Sequence, residues 1–68
     1  MANYKIWTDS ESHIDFPSKE FDSIDEACNE ASYLVHQHDN KPWRAIMHVE
    51  DLKTLETIDT YENTIKQD

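Results

Sequence analysis

The period of the hydrophobic positions changes along the chain, and each change marks an element. Residues 4–8 (Tyr4, Lys5, Ile6, Trp7, Thr8) are rich in the aromatic and β-branched types that suit a pleated strand. The next four, Asp9-Ser10-Glu11-Ser12, form a polar turn cluster. Ile14 and Phe16 then alternate with His13 and Asp15, the period of two expected of a second strand, which Pro17 should end. Together these segments read as a β-hairpin.

The period then lengthens. Ser23-Ile24-Asp25-Glu26 has the spacing of a capping box, in which the Ser23 hydroxyl accepts from the Glu26 amide and the Glu26 carboxylate reaches back. Ile24, Ala27, Cys28, Ala31, Leu34, Val35 and His38 follow at helical spacing on one face, which predicts a helix over 24–38. Asp25, Glu26, Asn29, Glu30, Tyr33 and Gln37 fall on the other face. Asn40 is placed to close the helix in a left-handed conformation, and Pro42 prevents its continuation.

Alternation returns at Trp43, Ala45, Met47 and Val49, which predicts a third strand up to Glu50. Residues 50–54 are polar enough to turn, with an Asp but no Gly. Residues 55–61 read as a fourth strand paired with the third. Helical spacing of Leu52, Leu55, Ile58 and Ile65 offers a rival reading, opposed by threonines at 54, 57, 60 and 64. Residues 62–68 read as a frayed tail. The expected architecture is therefore a single α+β domain over 1–68, in the order ββαββ: an antiparallel sheet of about four strands with one helix on one face.

One helix covers only one face of such a sheet. Tyr4, Ile6, Ile14, Phe16, Trp43, Ala45, Met47 and Val49 suit the covered side. Trp7 and Ile46 then fall on the open side with Lys5, His13, Asp15, Arg44 and His48. Such a face reads either as a small satellite cluster under Lys and Arg stems or as a surface for a partner or a second copy.

Composition narrows the function classes. Fifteen acids against six Lys and Arg give a net charge of −9 on 68 residues, the wrong sign for a nucleic-acid or anionic-membrane binder. Leu, Ile, Val and Phe number 13, which leaves little core to shape an enclosed catalytic cleft. No stretch is long enough to span a membrane, and the opening MANYKIWTDS is polar by residue 8, unlike a signal peptide. One cysteine permits no internal disulfide and fits a reducing compartment, so the expected location is the cytoplasm. The chain has no glycine, so no glycine-dependent phosphate loop exists.

The candidate chemistry is correspondingly thin. His36 and His38 lie two apart on a helix and point away from each other, so they do not share a metal ion, and a helix C-terminus explains them. Cys28 sits beside the apolar helix face with Asp25, Glu26 and Glu30 nearby, and carboxylates raise a thiol pKa, against nucleophilic reactivity. No catalytic residue, metal or cofactor is expected. Charge is more informative: Asp9, Glu11, Asp15, Glu20, Asp22, Asp25, Glu26 and Glu30 are opposed only by Lys19, which gives −7 over 22 residues. Two readings stand, a solvated face and an array imitating the phosphates of nucleic acid.

In size, acidity, expected ββαββ order and the helix-start pattern Phe21-Asp22-Ser23-Ile24-Asp25-Glu26-Ala27, the chain resembles the small phage-encoded inhibitors of host defence, the anti-CRISPR-like proteins. The resemblance implies a non-enzymatic inhibitor acting in the host cytoplasm on a nucleic-acid-binding surface. The eight acids would stand opposite Lys and Arg of a host complex such as a CRISPR-Cas machine, with Trp7 and Tyr33 as aromatic anchors. The alternative is a small homodimeric structural or regulatory protein that buries Trp7, Ile46 and His48 between copies.

Overall fold

The computed structural model describes residues 2–67 and has the expected ββαββ order. The strands are β1 (Tyr4–Thr8), β2 (Lys19–Phe21), β3 (Ile46–Asp51) and β4 (Glu56–Glu62), and the helix α1 spans Ile24–His36. All pairings between strands are antiparallel, in the spatial order β2-β1-β3-β4, with α1 packed on one face.

The helix begins where its spacing predicts, with one of the two bonds of the expected capping box, since among the described residues the Glu26 carboxylate makes no return bond to the Ser23 N–H. Ser23 is extended, and its hydroxyl accepts the Glu26 N–H at 3.4 Å, so one of the unpaired donors of the first turn is satisfied. The regular helix ends at His36, two residues before the expected limit. Residues 37–40 turn out of it, and Asn40 takes the left-handed conformation at φ 61°. Ala27, Ala31 and Val35 form its buried stripe, against Ile6 of β1 and Met47 and Val49 of β3. Two alanines on that stripe let the helix lie close to the sheet, and Tyr4, Ile14, Phe16, Phe21, Cys28, Leu34 and Tyr61 close the rim.

The second strand lies elsewhere than expected. Ile14 and Phe16 belong to an irregular connection, and the strand that pairs with β1 is the short segment 19–21. The reason lies in two hydroxyls. Thr8 Oγ1 accepts the Phe16 N–H at 2.9 Å and donates to the Phe16 carbonyl at 3.2 Å, while Ser12 Oγ donates to the Ile14 carbonyl at 2.7 Å. Side chains thus take the polar groups that a ladder would have used. The alternation reflects burial, since both apolar side chains pack on the core, and it carries no strand pairing.

The same substitution shortens the start of the third strand, expected from Trp43. The Arg44 N–H is accepted by His13 Nδ1 and the Ala45 N–H by Asn63 Oδ1, each at 2.8 Å, and regular pairing begins only at Ile46. The fourth strand is a strand, one residue later than expected. Its ladder shifts register between Val49 and Glu50, with Ile58 as the extra residue of a bulge.

The expected frayed end is tied down over 62–66. Glu62 closes β4, Asn63 is buried, Thr64 bonds to Asp39 and Asn40, and Lys66 donates to the Lys41 carbonyl at 2.9 Å. Asp68 lies outside the described residues.

Without glycine, the β3–β4 turn has to place a branched residue in the left-handed region. Leu55 sits at φ 61° and is 73% exposed, with its N–H donating to the Asp51 carbonyl at 2.7 Å. A Cβ there costs about 1–2 kcal/mol. Leu55→Gly is therefore expected to stabilise the fold by about 1 kcal/mol, a rise of about 4–8 °C in melting temperature for a domain of this size. An unchanged or lower melting temperature would show that the exposed side chain makes contacts worth more than the strain.

Candidate functional site

The eight acids singled out from the sequence separate into three groups. Glu20 lies on β2, an edge strand, and Asp22 follows it into the turn that leads to the helix. Asp25 and Glu26 occupy the first turn of α1, where the partial positive charge of the helix end favours them. These four are exposed and meet at the corner where β2 hands the chain to α1. Glu11 and Asp15 are exposed on the connection between β1 and β2. None of these six forms an ion pair among the described residues.

The other two are already engaged. Glu30 meets Lys19 at 2.6 Å, an ion pair that ties α1 to β2. Asp9 bonds to His48 Nε2 across 39 positions of sequence, and His48 Nδ1 pairs with Thr60 Oγ1 at 2.8 Å. The Trp7 ring leans on the His48 ring, with centroids 4.5 Å apart. A carboxylate, an imidazole and a hydroxyl in a row resemble a nucleophilic triad. However, the Thr60 N–H is occupied by the Asp59 carboxylate at 2.9 Å, so it is not a free donor beside the hydroxyl. The row works as a strut that fastens the connection after β1 to β3 and β4.

That strut also answers what covers the open sheet face. Ile46 is 5% exposed, since residues 9–14 run beside it. Asp9 N–H donates to its carbonyl at 3.0 Å, and Ser12 Oγ accepts its N–H at 3.2 Å. Trp7 is half-buried, and its Nε1 is enclosed without a hydrogen-bond partner among the described residues. Trp7 and His48 thus pack ring to ring, and Ile46 is covered by the connection after β1. Of the two proposed anchors, Tyr33 is the available one, 62% exposed on the outer side of α1.

The Asp9 carboxyl is held below its ordinary value of 3.8, first by the Glu11 N–H at 2.8 Å and then by His48. A carboxyl whose pKa falls on folding stabilises the fold above its unfolded value, about 4, and that stability disappears as pH drops through the folded value. Asp9→Asn should therefore lower the urea midpoint most near neutrality, and the gap to the parent protein should close in acid as pH drops through the folded value. A gap of constant size from neutrality into acid would show that the carboxylate charge is not what holds the connection.

Elsewhere, Asp39 is held low by the Thr64 N–H and then by His36. The Tyr61 phenol is raised by the neighbouring Cys28 thiol, by burial and by Asp59, whose carboxylate accepts its O–H at 2.9 Å. Cys28 is half-buried at the rim of the core. His36 and His38 diverge as expected: His36 faces Asp39 at 3.0 Å, and His38 Nδ1 accepts from Trp43 Nε1 at 3.0 Å. Among the described residues no three His, Cys, Asp or Glu converge to hold a metal ion, and no pocket opens in the surface. No helix is long and apolar enough to cross a membrane.

A second acidic region escaped the sequence reading. Between Glu50 and Glu62 lie five acids and one lysine, on β3, β4 and their turn. The charge balance of that stretch signals it, but averaging over everything outside 9–30 conceals it. No protein family, curated protein or solved structure matches the chain.

Proposed function

We propose that the protein is a non-enzymatic binding inhibitor that occupies a basic, nucleic-acid-binding surface of a host protein complex in the cytoplasm, its carboxylates standing where phosphates would. The observation that supports this reading is that Glu11, Asp15, Glu20, Asp22, Asp25 and Glu26 are exposed and without ion pairs among the described residues. Asp25 and Glu26 are explained in part by the helix dipole. Asp15 and Asp22 have no such local use, whereas Glu20 stands opposite Lys5 in the β1–β2 ladder and Glu11 lies near Arg44. Like charges gathered without partners oppose folding, and a basic partner converts the same repulsion into attraction and faster encounter. Tyr33 is the aromatic anchor that remains available.

The test is capture from host lysate at low and high salt, with bound proteins identified by mass spectrometry. The expected result is a nucleic-acid-binding complex that is lost at high salt and competed away by DNA or RNA. Reversing Glu11, Asp15, Glu20 and Asp22 to lysine spares the helix start and should abolish capture, since each close charge pair lost at an interface costs about tenfold or more in affinity. Capture that survives both the reversals and high salt would end the mimicry reading.

Less supports the dimer alternative. Ile46 is already buried within one chain, and the His48 ring is bonded on both nitrogens.

A further inference from the structure

The geometry points to a second docking surface, distinct from the acidic corner: the outer edge of β4 takes up an extended, lysine- or arginine-rich segment of a partner protein as an added strand.

β4 is an edge of the sheet and, at seven residues, its longest strand. Every residue of it except Tyr61 is exposed. The other edge, β2, has three residues and runs straight into the helix. On β4 the Thr60 N–H turns away from β3, and its acceptor is the neighbouring Asp59 carboxylate. The alternation of antiparallel pairing turns the backbone of Glu62 outward in the same way. An outward row of donors and acceptors is a template for another strand.

Edges of this kind are usually guarded by lysine, proline or cover from another element. β4 has none of the first two; its guards are the bulge at Ile58 and the acids Glu56, Asp59 and Glu62, which deter another acidic edge and not a basic one. Arg44 reaches Glu62 at 2.9 Å, and no cation contacts Glu56 or Asp59 among the described residues. Acids repel a second copy of this chain. Antiparallel pairing of β4 with itself about Asp59 would set Glu56 against Glu62 and Asp59 against Asp59. The same acids attract a basic strand, whose lysines would take up Asp59 as it releases the Thr60 amide. Ile58, at 40% exposure, and Leu55 at the turn add apolar contact along the same edge.

The probe is a capped nine-residue peptide of alternating lysine and threonine, with a glutamate-for-lysine peptide as control. Amide hydrogen exchange is followed residue by residue in the intact protein. Exchange at Thr60 and Glu62 should slow about tenfold when the lysine peptide is in about tenfold excess over its dissociation constant. The glutamate peptide should leave both amides unchanged. Thr60→Pro removes an outward donor without breaking a backbone bond to β3, although the hydroxyl bonded to His48 is lost with it, and it should abolish the effect while amide protection within α1 persists. Thr60→Val loses the hydroxyl, keeps the N–H and should bind like the parent. Slowing confined to Glu20, Asp22, Asp25 and Glu26 would overturn the proposal in favour of simple electrostatic adhesion, as would undiminished binding by Thr60→Pro. If Thr60→Pro does not fold, the exchange pattern of the parent protein alone decides between these outcomes.

Discussion

Asn63→Ala is expected to destabilise the protein by about 2–4 kcal/mol, although it removes a single amide from a position just past the last strand. Asn63 is the one buried polar side chain among the described residues, at 5% exposure. Its Oδ1 accepts the Ala45 N–H at 2.8 Å, and its Nδ2 donates to the carbonyls of His38 and Trp43. Alanine leaves three backbone groups without their partner, and a group left unsatisfied costs more than a bond is worth when made. A chain of this size has about 3–10 kcal/mol in total. Chemical denaturation should show the loss, and hydrogen exchange should locate it at the amides of Asn40, Ala45, Thr64 and Lys66, which share this junction. Asn63→Asp distinguishes geometry from bulk. A carboxylate still accepts from Ala45 but faces two carbonyls, so burial raises its pKa, the protonated acid is favoured in the fold, and stability relative to the parent should rise as pH falls. A loss below 1 kcal/mol in Asn63→Ala would show that water replaces the amide without penalty.

Asn63 also shows where legibility in the sequence ends. The signals that were read correctly are local. Ser23 caps a helix at Glu26 because the bond spans three residues, Asn40 takes φ 61° at the end of the turn after the helix because its side chain tolerates it, and residues 55–61 favour a strand because β-branching disfavours a helix. What the sequence conceals is the use of side chains as substitutes for backbone partners. Thr8 on Phe16, Ser12 on Ile14 and Ile46, His13 on Arg44 and Asn63 on Ala45 act over 2 to 34 positions. Ser, Thr, His and Asn at those positions look like ordinary polar spacers. Hence Ile14 and Phe16 alternate like a strand without forming one, and residues 63–66 look frayed while being pinned.

The candidate site divides in the same way. The acidity of 9–30 is plain in the composition, but the pairing of Asp9 with His48 and of Glu30 with Lys19 is tertiary. Those two pairings turn members of an apparent array into structural ties. Six exposed acids are what remain for a partner, along with the hairpin acids that averaging concealed.

Met47→Ala is expected to cost about 4 kcal/mol, near the upper part of the range for truncating a buried methionine. Met47 is fully buried on β3, opposite Thr8 on one side and Tyr61 on the other, and it faces α1. How much such a truncation costs depends on whether neighbours can move into the hole. Here the helix offers Ala27 and Ala31, which have no side chain to swing inward, and Ile6 and Val49 are β-branched and stiff. The cavity closes if α1 moves as a body, which the Ser23 cap and the Lys19–Glu30 pair restrain, or if rim side chains such as Tyr61 turn inward. Met47→Leu keeps the volume and should cost less than about 1.5 kcal/mol. Denaturant midpoints for the two variants separate the cases. A small loss for both would mean that the helix re-seats freely on the sheet, and the close alanine contact would then not be what fixes α1 in place.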